Sequence, residues 1–431
     1  MDIKRDFYLN KIINRMGNGQ VKVITGVRRC GKSFLLNNLF YDYLIEIGIP
    51  EDHIIRFAFD SADDLEIIGE DVVDIQKENR KVDPQKFMEY IKSKCTDKDN
   101  YFLLLDEVQL MDSFESVLNG YIRKRNMDIY VTGSNAKFLS KDIITEFSGR
   151  GDEIHMYPLN YSEFMSVFSG DKYEGLMKYM TFGGIPLVVL SRDDNDKAAV
   201  LTNLYSEIYI SDIVKRHNVR NVSELEDLLN ILSSSIGSLT NPEKLQRTFK
   251  SVKHSKITGQ TIQKYLGYLE DAFLLESAVR YDVKGKTYIE TPKKTYFSDM
   301  GLRNVRINFR QMEPTHMMEN VIYNELRMRG YKVDVGVVPV VESHNDGSQH
   351  RKQLEIDFVC NKGSSRYYIQ SAYALPNEEK RIQEIRPFNK IKDAFKRIVI
   401  TGDMTPVHYD ENGILMVNIY DFLLDPTVID K

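Results

Sequence analysis

The sequence predicts an α/β protein with a parallel sheet in its first part, a helical region ending in a β-hairpin, and a second α/β domain at the carboxyl end. Two apolar runs predict the first part. Residues 21–33 (VKVITGVRRCGKS) join a β-branched run to a glycine-containing loop, and residues 101–107 (YFLLLDE) end in two acids. Short amphipathic segments at 223–281 predict the middle, and alternating strands after residue 317 predict the last domain.

The chain length of 431 residues is too great for one compact core. We expect three domains, at residues 1–170, 171–310 and 311–431. Glycine and proline in FGGIPLVVL (182–190) interrupt regular structure just after the first boundary. The hydrophobic content of 42 % and the charged content of 28 % are those of an ordinary soluble globular protein, not of a disordered chain.

Charge and cysteine usage exclude several classes of protein. A formal net charge of -5 argues against a nucleic-acid surface over the whole chain, so any such surface must be local. The three cysteines, Cys30, Cys95 and Cys360, fit neither paired disulfides nor a CxxC metal site, which favours a reducing compartment. We see no signal-peptide pattern and no apolar stretch approaching about 18 residues. We therefore expect a cytoplasmic protein with no membrane span.

A phosphate-binding loop is predicted at Gly26–Ser33, which has the form GxxxxGK[ST] between an apolar strand and the helical stretch FLLNNLF. Gly26 and Gly31 permit the tight loop whose backbone N–H groups face phosphates. Lys32 is expected to contact the β- and γ-phosphates, and the Ser33 hydroxyl to coordinate Mg²⁺. The other residues assigned to the nucleotide in this segment are Val27, Arg28, Arg29, Cys30 and Phe34.

The two acids that end the run YFLLLDE complete a nucleoside triphosphate site. An apolar run of this kind is typical of a buried parallel strand. Asp106 is expected to hold the magnesium shell, and Glu107 to polarise the attacking water, because in-line attack on the γ-phosphate benefits from an orienting carboxylate. With the loop upstream, these acids predict hydrolysis as well as binding.

A third strand, DIYVTGSNA at 128–136, ends in the polar side chains of Thr132 and Ser134. They are candidates for sensing the γ-phosphate, since ligands of open α/β folds bind at the carboxyl ends of strands. Capping of the next turn is the competing interpretation. Arg150 precedes another short strand and is a candidate arginine finger, acting in cis or in trans, with a surface ion pair as the alternative.

These motifs, TGVRRCGKS, LLLDEVQ, TGSNAKFLS, SGR and YPLNYSEF, resemble those of AAA-type P-loop ATPases. The strand IIRFAF at 54–59 fits the sheet order of P-loop ATPases with an added catalytic Glu. Over essentially the whole chain, the sequence is similar to bacterial and archaeal AAA-type proteins with a C-terminal domain of unknown function. The resemblance implies ATP as the nucleotide, with Mg²⁺, and we see no guanine-reading NKxD motif near the predicted sheet.

The middle region has the order helix, helix, hairpin, which is that of a winged helix. Between Thr240 and Lys264 there are six Lys or Arg against one acid, Glu243. This basic segment, 240–264, could present a positive face to DNA phosphates. A solvated surface, or a lid or docking surface for protein, is the competing interpretation.

In the family that the sequence resembles, the last domain is similar in fold to restriction endonucleases. Such nucleases place an acid on the first helix, an Asp at a strand end and a (Glu/Gln)-x-Lys on the next strand, to hold magnesium and activate water. Glu319, Asp357 and Gln370 match the first three positions, but Ala372 stands where the Lys belongs. Lys380, on a following helix, is a candidate replacement. We therefore expect a vestigial site in a fold retained for binding.

Our leading hypothesis is an ATPase that couples hydrolysis to conformational change in a C-terminal DNA- or protein-binding module. The alternatives are an ATP-regulated, magnesium-dependent nuclease and a nucleotide-dependent switch or scaffold with negligible turnover. The expected partners are ATP, DNA through the basic segment, and a protein partner or a second copy of the chain.

Overall fold

The computed structural model describes residues 3–133, 147, 149–343 and 349–430. The chain divides into two compact units, residues 1–157 and 158–431. Buried apolar residues form a core within the sheet of the first unit and two further cores in the second. The division differs from the three expected domains, since the whole segment predicted as 171–310 lies in one unit with 311–431.

Within the described residues, the first unit contains a five-stranded sheet of order β2-β3-β4-β1-β5. Every pair in it is parallel, which confirms the predicted parallel sheet. Buried residues fill β1 and β3 along their whole length, as expected for strands covered on both faces. The strands are β1 (Val21–Thr25), β2 (Ile54–Ala58), β3 (Tyr101–Asp106), β4 (Met127–Thr132) and β5 (Gly151–His155).

The helices of the first unit include one that starts directly after the glycine loop and continues through a π-helical stretch, Leu35–Phe40. Short 3₁₀ turns precede β2 and follow β3, at Glu51–His53 and Val108–Leu110. The helices are α1 (Asp6–Ile13), α2 (Lys32–Phe34), α3 (Tyr41–Glu46), α4 (Ala62–Ile67), α5 (Val72–Glu78), α6 (Pro84–Lys94) and α7 (Phe114–Ile122).

The second unit begins with helices, and a π-helical stretch, Leu204–Ile210, links two of them. Its 3₁₀ turns are Phe388–Lys390 and Val428–Asp430. The helices are α8 (Tyr161–Met165), α9 (Lys172–Phe182), α10 (Pro186–Val189), α11 (Asp194–Asn203), α12 (Ser211–His217), α13 (Val222–Ser234), α14 (Pro242–Val252), α15 (Gly259–Asp271), α16 (Met300–Arg306), α17 (Pro314–Met328), α18 (Glu378–Ile385) and α19 (Ile419–Leu424).

The strands of the second unit belong to one mixed sheet, nine-stranded over the described ranges, of order β13-β14-β12-β11-β10-β9-β7-β8-β6. The strands are β6 (Leu239–Thr240), β7 (Leu275–Asp282), β8 (Thr287–Phe297), β9 (Lys332–Ser343), β10 (Gln349–Lys362), β11 (Ser365–Ala372), β12 (Lys396–Thr401), β13 (His408–Tyr409) and β14 (Leu415–Asn418).

The expected boundary after residue 310 falls inside this sheet. β7 and β8 form the hairpin predicted for the middle region, and β6 pairs with β8 on its far side. β7 also pairs in parallel with β9, from Arg280 beside Val335 to Asp282 beside Val337. The physical reason is that an unpaired strand edge leaves backbone N–H and C=O groups without partners, and here the hairpin and the last strands supply each other's edge.

No helix in the described part of the chain is long and apolar enough to cross a membrane.

One buried carboxylate organises the turn after α9. Asp299 caps α16 by accepting from the Leu302 N–H (3.1 Å), and its other oxygen accepts from the Gly184 N–H (2.7 Å). Burial raises the pKa of Asp299 to about 6, against backbone hydrogen bonds that favour the ionised form. The glycine and proline segment FGGIP is thereby fixed to the start of α16.

We predict that Asp299→Asn destabilises the protein more at low pH than at neutral pH. Because the pKa in the folded state is raised, the contribution of Asp299 to the free energy of unfolding is largest below pH about 4 and is lost as the pH rises through about 6. The difference between the two ends of this window is on the order of 2–3 kcal/mol. Urea unfolding of both proteins at several pH values measures it.

Asp171→Asn is the matched control, because Asp171 caps α9 at an exposed position. It should change the free energy of unfolding by only about a few tenths of a kcal/mol at any pH, because Asn and Asp are about equally good N-cap residues. An Asp299→Asn penalty that grows with pH would contradict the prediction.

Candidate functional site

The candidate nucleotide groups of the first unit lie at the carboxyl edge of its sheet. β4 lies between β1 and β3, and the three strands run parallel. The register places Thr132, the last residue of β4, beside Ile24, one residue before β1 ends at Thr25. Asp106 ends β3 on the other side. Because the carboxyl ends of parallel strands meet at one edge, the glycine loop, Thr132 and Asp106 are neighbours.

Positive backbone torsions shape the loop. Gly26 has φ 140° and Gly31 has φ 101°, values that favour glycine. A Cβ atom at Gly26 would lie 2.1 Å from the carbonyl oxygen of Met156, so no side chain fits there. The Cys30 Sγ lies 3.5 Å from the same oxygen and is buried. The first glycine of the motif is therefore required by close packing of the loop against the end of β5.

Lys32 and Ser33 occupy the first two positions of α2. The Lys32 ammonium is buried and donates to the carbonyl oxygens of Gly26 (3.0 Å) and Val27 (3.1 Å). Ser33 is exposed. A helix start with a cation beside it supplies the N–H donors and the positive potential that a phosphate requires. The remaining assigned loop residues differ in accessibility: Arg28 and Arg29 are exposed, and Phe34 is partly buried.

Thr132 links the two acids that follow β3. Its hydroxyl donates to the Asp106 carboxylate, and its oxygen accepts from the Glu107 N–H at 3.2 Å. Glu107 has a left-handed backbone (φ 49°), and the side-chain amide of Gln109 donates to its carboxylate. The acids are therefore held in fixed orientations at the strand end, as a metal ligand and a water-orienting base must be.

Asp60 is a third carboxylate at this edge that the sequence analysis did not single out. It comes directly after the apolar run IIRFAF, and that position was the available signal. Burial raises the pKa of Asp60, the carboxylates of Asp106 and Glu107 raise it further, and Arg28 opposes them. The excess of negative charge at this edge, with oxygen donors, fits a hard divalent cation such as Mg²⁺.

Of the predicted residues that the structure describes, Arg150 is not brought to this edge. Arg150 precedes β5, and its carbonyl oxygen accepts from the N–H of Val21, the first residue of β1. It therefore lies at the amino edge of the sheet, a strand length of about 17 Å from the loop. Its exposed side chain does not reach the nucleotide site of the same chain. Of the two predicted roles as an arginine finger, in cis and in trans, only the role in trans is compatible with this position. Ser134 lies outside the described residues.

The predicted endonuclease-like residues meet in a second, buried cluster. Glu319 on α17 and Asp357 on β10 both contact the ammonium of Lys294, at 2.8 and 3.7 Å. The Gln370 side-chain oxygen accepts from the Asp357 N–H at 3.4 Å. Glu355 on β10 also contacts Lys294, at 2.8 Å. Sequence reasoning missed Lys294, because no local pattern links β8 to the motif. It also missed Glu355, although Glu355 lies two residues before Asp357 on the same strand, and that alternation was the available signal.

Neither Ala372, at the position expected for the lysine, nor Lys380, the candidate replacement, joins this cluster. Ala372 is buried among apolar residues, at 3 % exposure. Lys380 pairs with Glu384, on the same helix α18. Glu384 in turn accepts from the Gln370 amide at 3.3 Å. Lys380 therefore reaches Glu384 and not the carboxylates that surround Lys294.

The basic segment 240–264 forms α14, a connector and the first half of α15. Asn241 caps α14, and Thr258 caps α15 by accepting from the Thr261 N–H. Phe249 of α14 and an apolar stripe on α15 face inward. The cations of the segment are all exposed: Lys244, Arg247, Lys250, Lys253, Lys256 and Lys264. The segment therefore presents its positive charge to solvent.

Comparison with known families gives two matches. Residues 18–165 match the AAA domain family (AAA_14), which spans the parallel sheet and its loop. Residues 173–313 match a domain of unknown function (DUF8612).

Two relatives align over almost the whole chain. An uncharacterized protein of Haemophilus influenzae is 32 % identical over 431 residues, covering 98 % of each chain. The uncharacterized protein MJ1544 of Methanocaldococcus jannaschii is 30 % identical, covering 97 % of this chain and 88 % of its own.

Two solved structures are similar at lower sequence identity. An ORC1 protein of Aeropyrum pernix in complex with DNA has a TM-score of 0.33 at 11 % identity, covering 72 % of this chain and 93 % of its own. An AMPPCP-bound DnaA of Aquifex aeolicus has a TM-score of 0.28 at 13 % identity, covering 61 % of this chain and 85 % of its own.

We predict that Gly26→Ala abolishes nucleotide binding and destabilises the first unit. The added methyl group would overlap the Met156 carbonyl oxygen and require a strained backbone, so the loop must shift. Such overpacking costs about 1–3 kcal/mol. Thermal unfolding with and without ATP and Mg²⁺ measures both effects.

Gly120→Ala is the matched control, because a Cβ atom there meets nothing within 4 Å and the residue lies in α7. It should keep the ATP-dependent rise in melting temperature. If Gly26→Ala keeps the same rise, the loop does not hold the phosphates.

Proposed function

The chain belongs to the family of AAA-domain proteins, and from that premise we propose that it binds ATP with Mg²⁺ at the Gly26–Ser33 loop and hydrolyses it. The observation that carries this proposal is the link through Thr132, which joins Asp106 and Glu107 beside the loop. Loops of this form can bind phosphates without turning them over. Two acids held in orientation at the adjacent strand end add what hydrolysis requires.

Each residue has a role that its position supports. Lys32, at the start of α2, neutralises charge on the β- and γ-phosphates, and the loop N–H groups hold their oxygens. Ser33 and Asp106 would hold the Mg²⁺ ion, which when bound neutralises charge that develops on the phosphates. Glu107 orients the attacking water and accepts its proton, with its carboxylate positioned by Gln109. Asp60 adds negative charge beside the metal ligands.

We predict that Lys32→Ala reduces ATP turnover to background and that Glu107→Gln traps bound nucleotide. Removing the ammonium removes the phosphate contact, whereas removing the carboxylate leaves the loop intact and lowers kcat by about 10²- to 10⁴-fold. Steady-state phosphate release and equilibrium binding of a fluorescent ATP analogue measure the two effects.

Glu66→Gln is the matched control, since Glu66 is an exposed acid on α4 of the same unit. It should leave turnover unchanged. Unaltered hydrolysis in both Lys32→Ala and Glu107→Gln would remove the loop from the reaction. Tight ATP binding with no turnover in the unmodified protein would instead establish a nucleotide-dependent switch.

The use of ATP that we propose is conformational change in a C-terminal module that binds duplex DNA. The middle region has the element order of a winged helix: α13, β6, α14, α15 and the β7–β8 hairpin. Its strand pairing also fits, because β6 lies beside β8. In such domains the second helix of the helix pair enters the major groove. This helix is α15, and a groove with a volume of about 630 Å³ lies between it and the hairpin.

The outer face of α15 suits contact with DNA. Gln260, Gln263 and Lys264 are exposed and recur at helical spacing, opposite the buried stripe of Ile262, Leu266 and Leu269. Glutamine amides read base edges and lysines pair with phosphates. The exposed cations of α14 extend the positive surface. Charge and side-chain chemistry therefore favour DNA over a protein partner.

We predict that Lys250→Ala weakens duplex binding about equally for all sequences and lowers the slope of log affinity against log salt by about one. Lys250 is an exposed cation on α14, so its loss removes a phosphate contact. Fluorescence anisotropy with labelled duplex at several salt concentrations gives the slope.

The control is Lys392→Ala, an exposed lysine in the turn before β12. It should leave the salt slope unchanged. A matched loss in both variants would indicate binding through net charge alone, and ATP turnover that duplex DNA does not alter would argue against coupling between the two activities.

Arg150 suits a role between copies of the chain. Its exposed position at the amino edge of the sheet leaves it available to the nucleotide site of a second copy. We include this trans contact in the proposal, with homo-oligomer formation as its requirement.

A further inference from the structure

The lysine at the centre of the second cluster comes from the hairpin, far from the endonuclease-like motif in sequence. Lys294 on β8 contacts the carboxylates of Glu319 and Glu355 at 2.8 Å each, and that of Asp357 at 3.7 Å. Two residues along the same strand face, the hydroxyl of Tyr296 donates to Glu319 at 2.8 Å. A single strand therefore brings both a cation and a hydroxyl to the acids.

The backbone of β10 and a hydrogen bond from β11 orient the Asp357 carboxylate toward Lys294. Asp357 lies where the pairing of β10 with β9 shifts register, between Ile356 and Val359, and such bulges redirect a side chain. Its second oxygen accepts from the Ser371 N–H at 2.8 Å. The carboxylate therefore has one oxygen held by β11 and one directed toward Lys294.

A divalent cation does not fit among these residues while Lys294 is in place. Magnesium requires oxygen ligands at about 2.0–2.1 Å in octahedral geometry and usually keeps several waters. The ammonium already lies within contact distance of the carboxylates that would be those ligands. Lys294, Glu319 and Asp357 are each less than 10 % exposed, which leaves little room for a hydrated ion beside them.

The surroundings of Lys294 favour its charged form. Burial alone would lower the pKa of Lys294, but the three carboxylates outweigh burial and raise it, so the ammonium stays charged. Burial and the neighbouring Glu319 raise the pKa of Asp357, and Lys294 opposes them. The ammonium thus offsets the negative charge of the acids that it contacts.

We propose that Lys294 is a built-in cation that takes the place of the metal ion in this endonuclease-like site, so that the domain neither binds Mg²⁺ there nor cleaves DNA. The inference does not depend on the proposed ATPase or on DNA binding. It gives the acids another use: they fix the β7–β8 hairpin to α17 and β10. This arrangement also accounts for Ala372 on β11, at the position where a lysine was expected, because Lys294 on β8 already supplies the positive charge.

Mn²⁺ binding tests the proposal. It is measured by electron paramagnetic resonance on nucleotide-free protein that carries Asp106→Asn, so that the first unit does not contribute. This parent should bind no Mn²⁺ that Glu319→Gln removes. Adding Lys294→Met should create Mn²⁺ affinity and a Mn²⁺-dependent rise in melting temperature. Adding Asp357→Asn to that variant should weaken the new affinity by about 10- to 100-fold.

The parent measurement stands even if Lys294→Met does not fold. Mn²⁺ bound by the parent and lost with Glu319→Gln would overturn the proposal. A folded Lys294→Met protein that gains no Mn²⁺ affinity would overturn it as well, because the acids would not then form a cation site. Lys294→Arg keeps the charge and should bind no Mn²⁺.

Plasmid incubation with Mg²⁺ provides a second readout, on the unmodified protein. We expect no cleavage, with or without ATP. Cleavage that Asp357→Asn and Lys294→Met both abolish would assign Lys294 to catalysis and overturn the proposal. A failed ATPase test would leave both readouts unaffected, because they concern the second unit alone.

Discussion

The parallel register of β3, β4 and β1 is the constraint on which the nucleotide site depends. β4 lies between the strand that leads into the loop and the strand that ends in the acids. The hydroxyl of Thr132 can therefore reach Asp106 while its oxygen accepts from the Glu107 N–H. Shifting β4 by one residue would turn Thr132 to the other face of the sheet and separate the two acids from the loop. Local sequence forms the loop and the acid pair, but this non-local pairing makes them one site.

The sequence predicted the part of this site that local chemistry dictates. Only glycine tolerates the torsion and close packing at Gly26, and a parallel strand buried on both faces must read as an uninterrupted apolar run, as β3 does. These requirements appear directly as residue types at fixed spacing. The AAA-type fold class followed from them and is confirmed. The roles of the individual site residues are predictions.

Other features could not be read from local patterns, because they depend on long-range pairing. Arg150 precedes a strand whose partner is β1, and the parallel direction of that pair places it at the amino edge. Lys294 lies in a strand whose alternation only predicts a hairpin, yet its ammonium meets acids from α17 and β10. The boundary expected after residue 310 missed the β7–β9 pairing for the same reason. The position of a lysine in a predicted strand does not indicate which acidic side chains it will contact in the folded protein.

The pairing of β7 with β9 has a mechanical consequence. A hairpin tethered only by a linker can swing freely, but here it shares backbone hydrogen bonds with the strands that follow α17, and the Lys294 ion pairs clamp its other strand. The hairpin is therefore joined through β9 to β10 by continuous backbone hydrogen bonds. We expect the hairpin and these strands to move together when the module changes conformation.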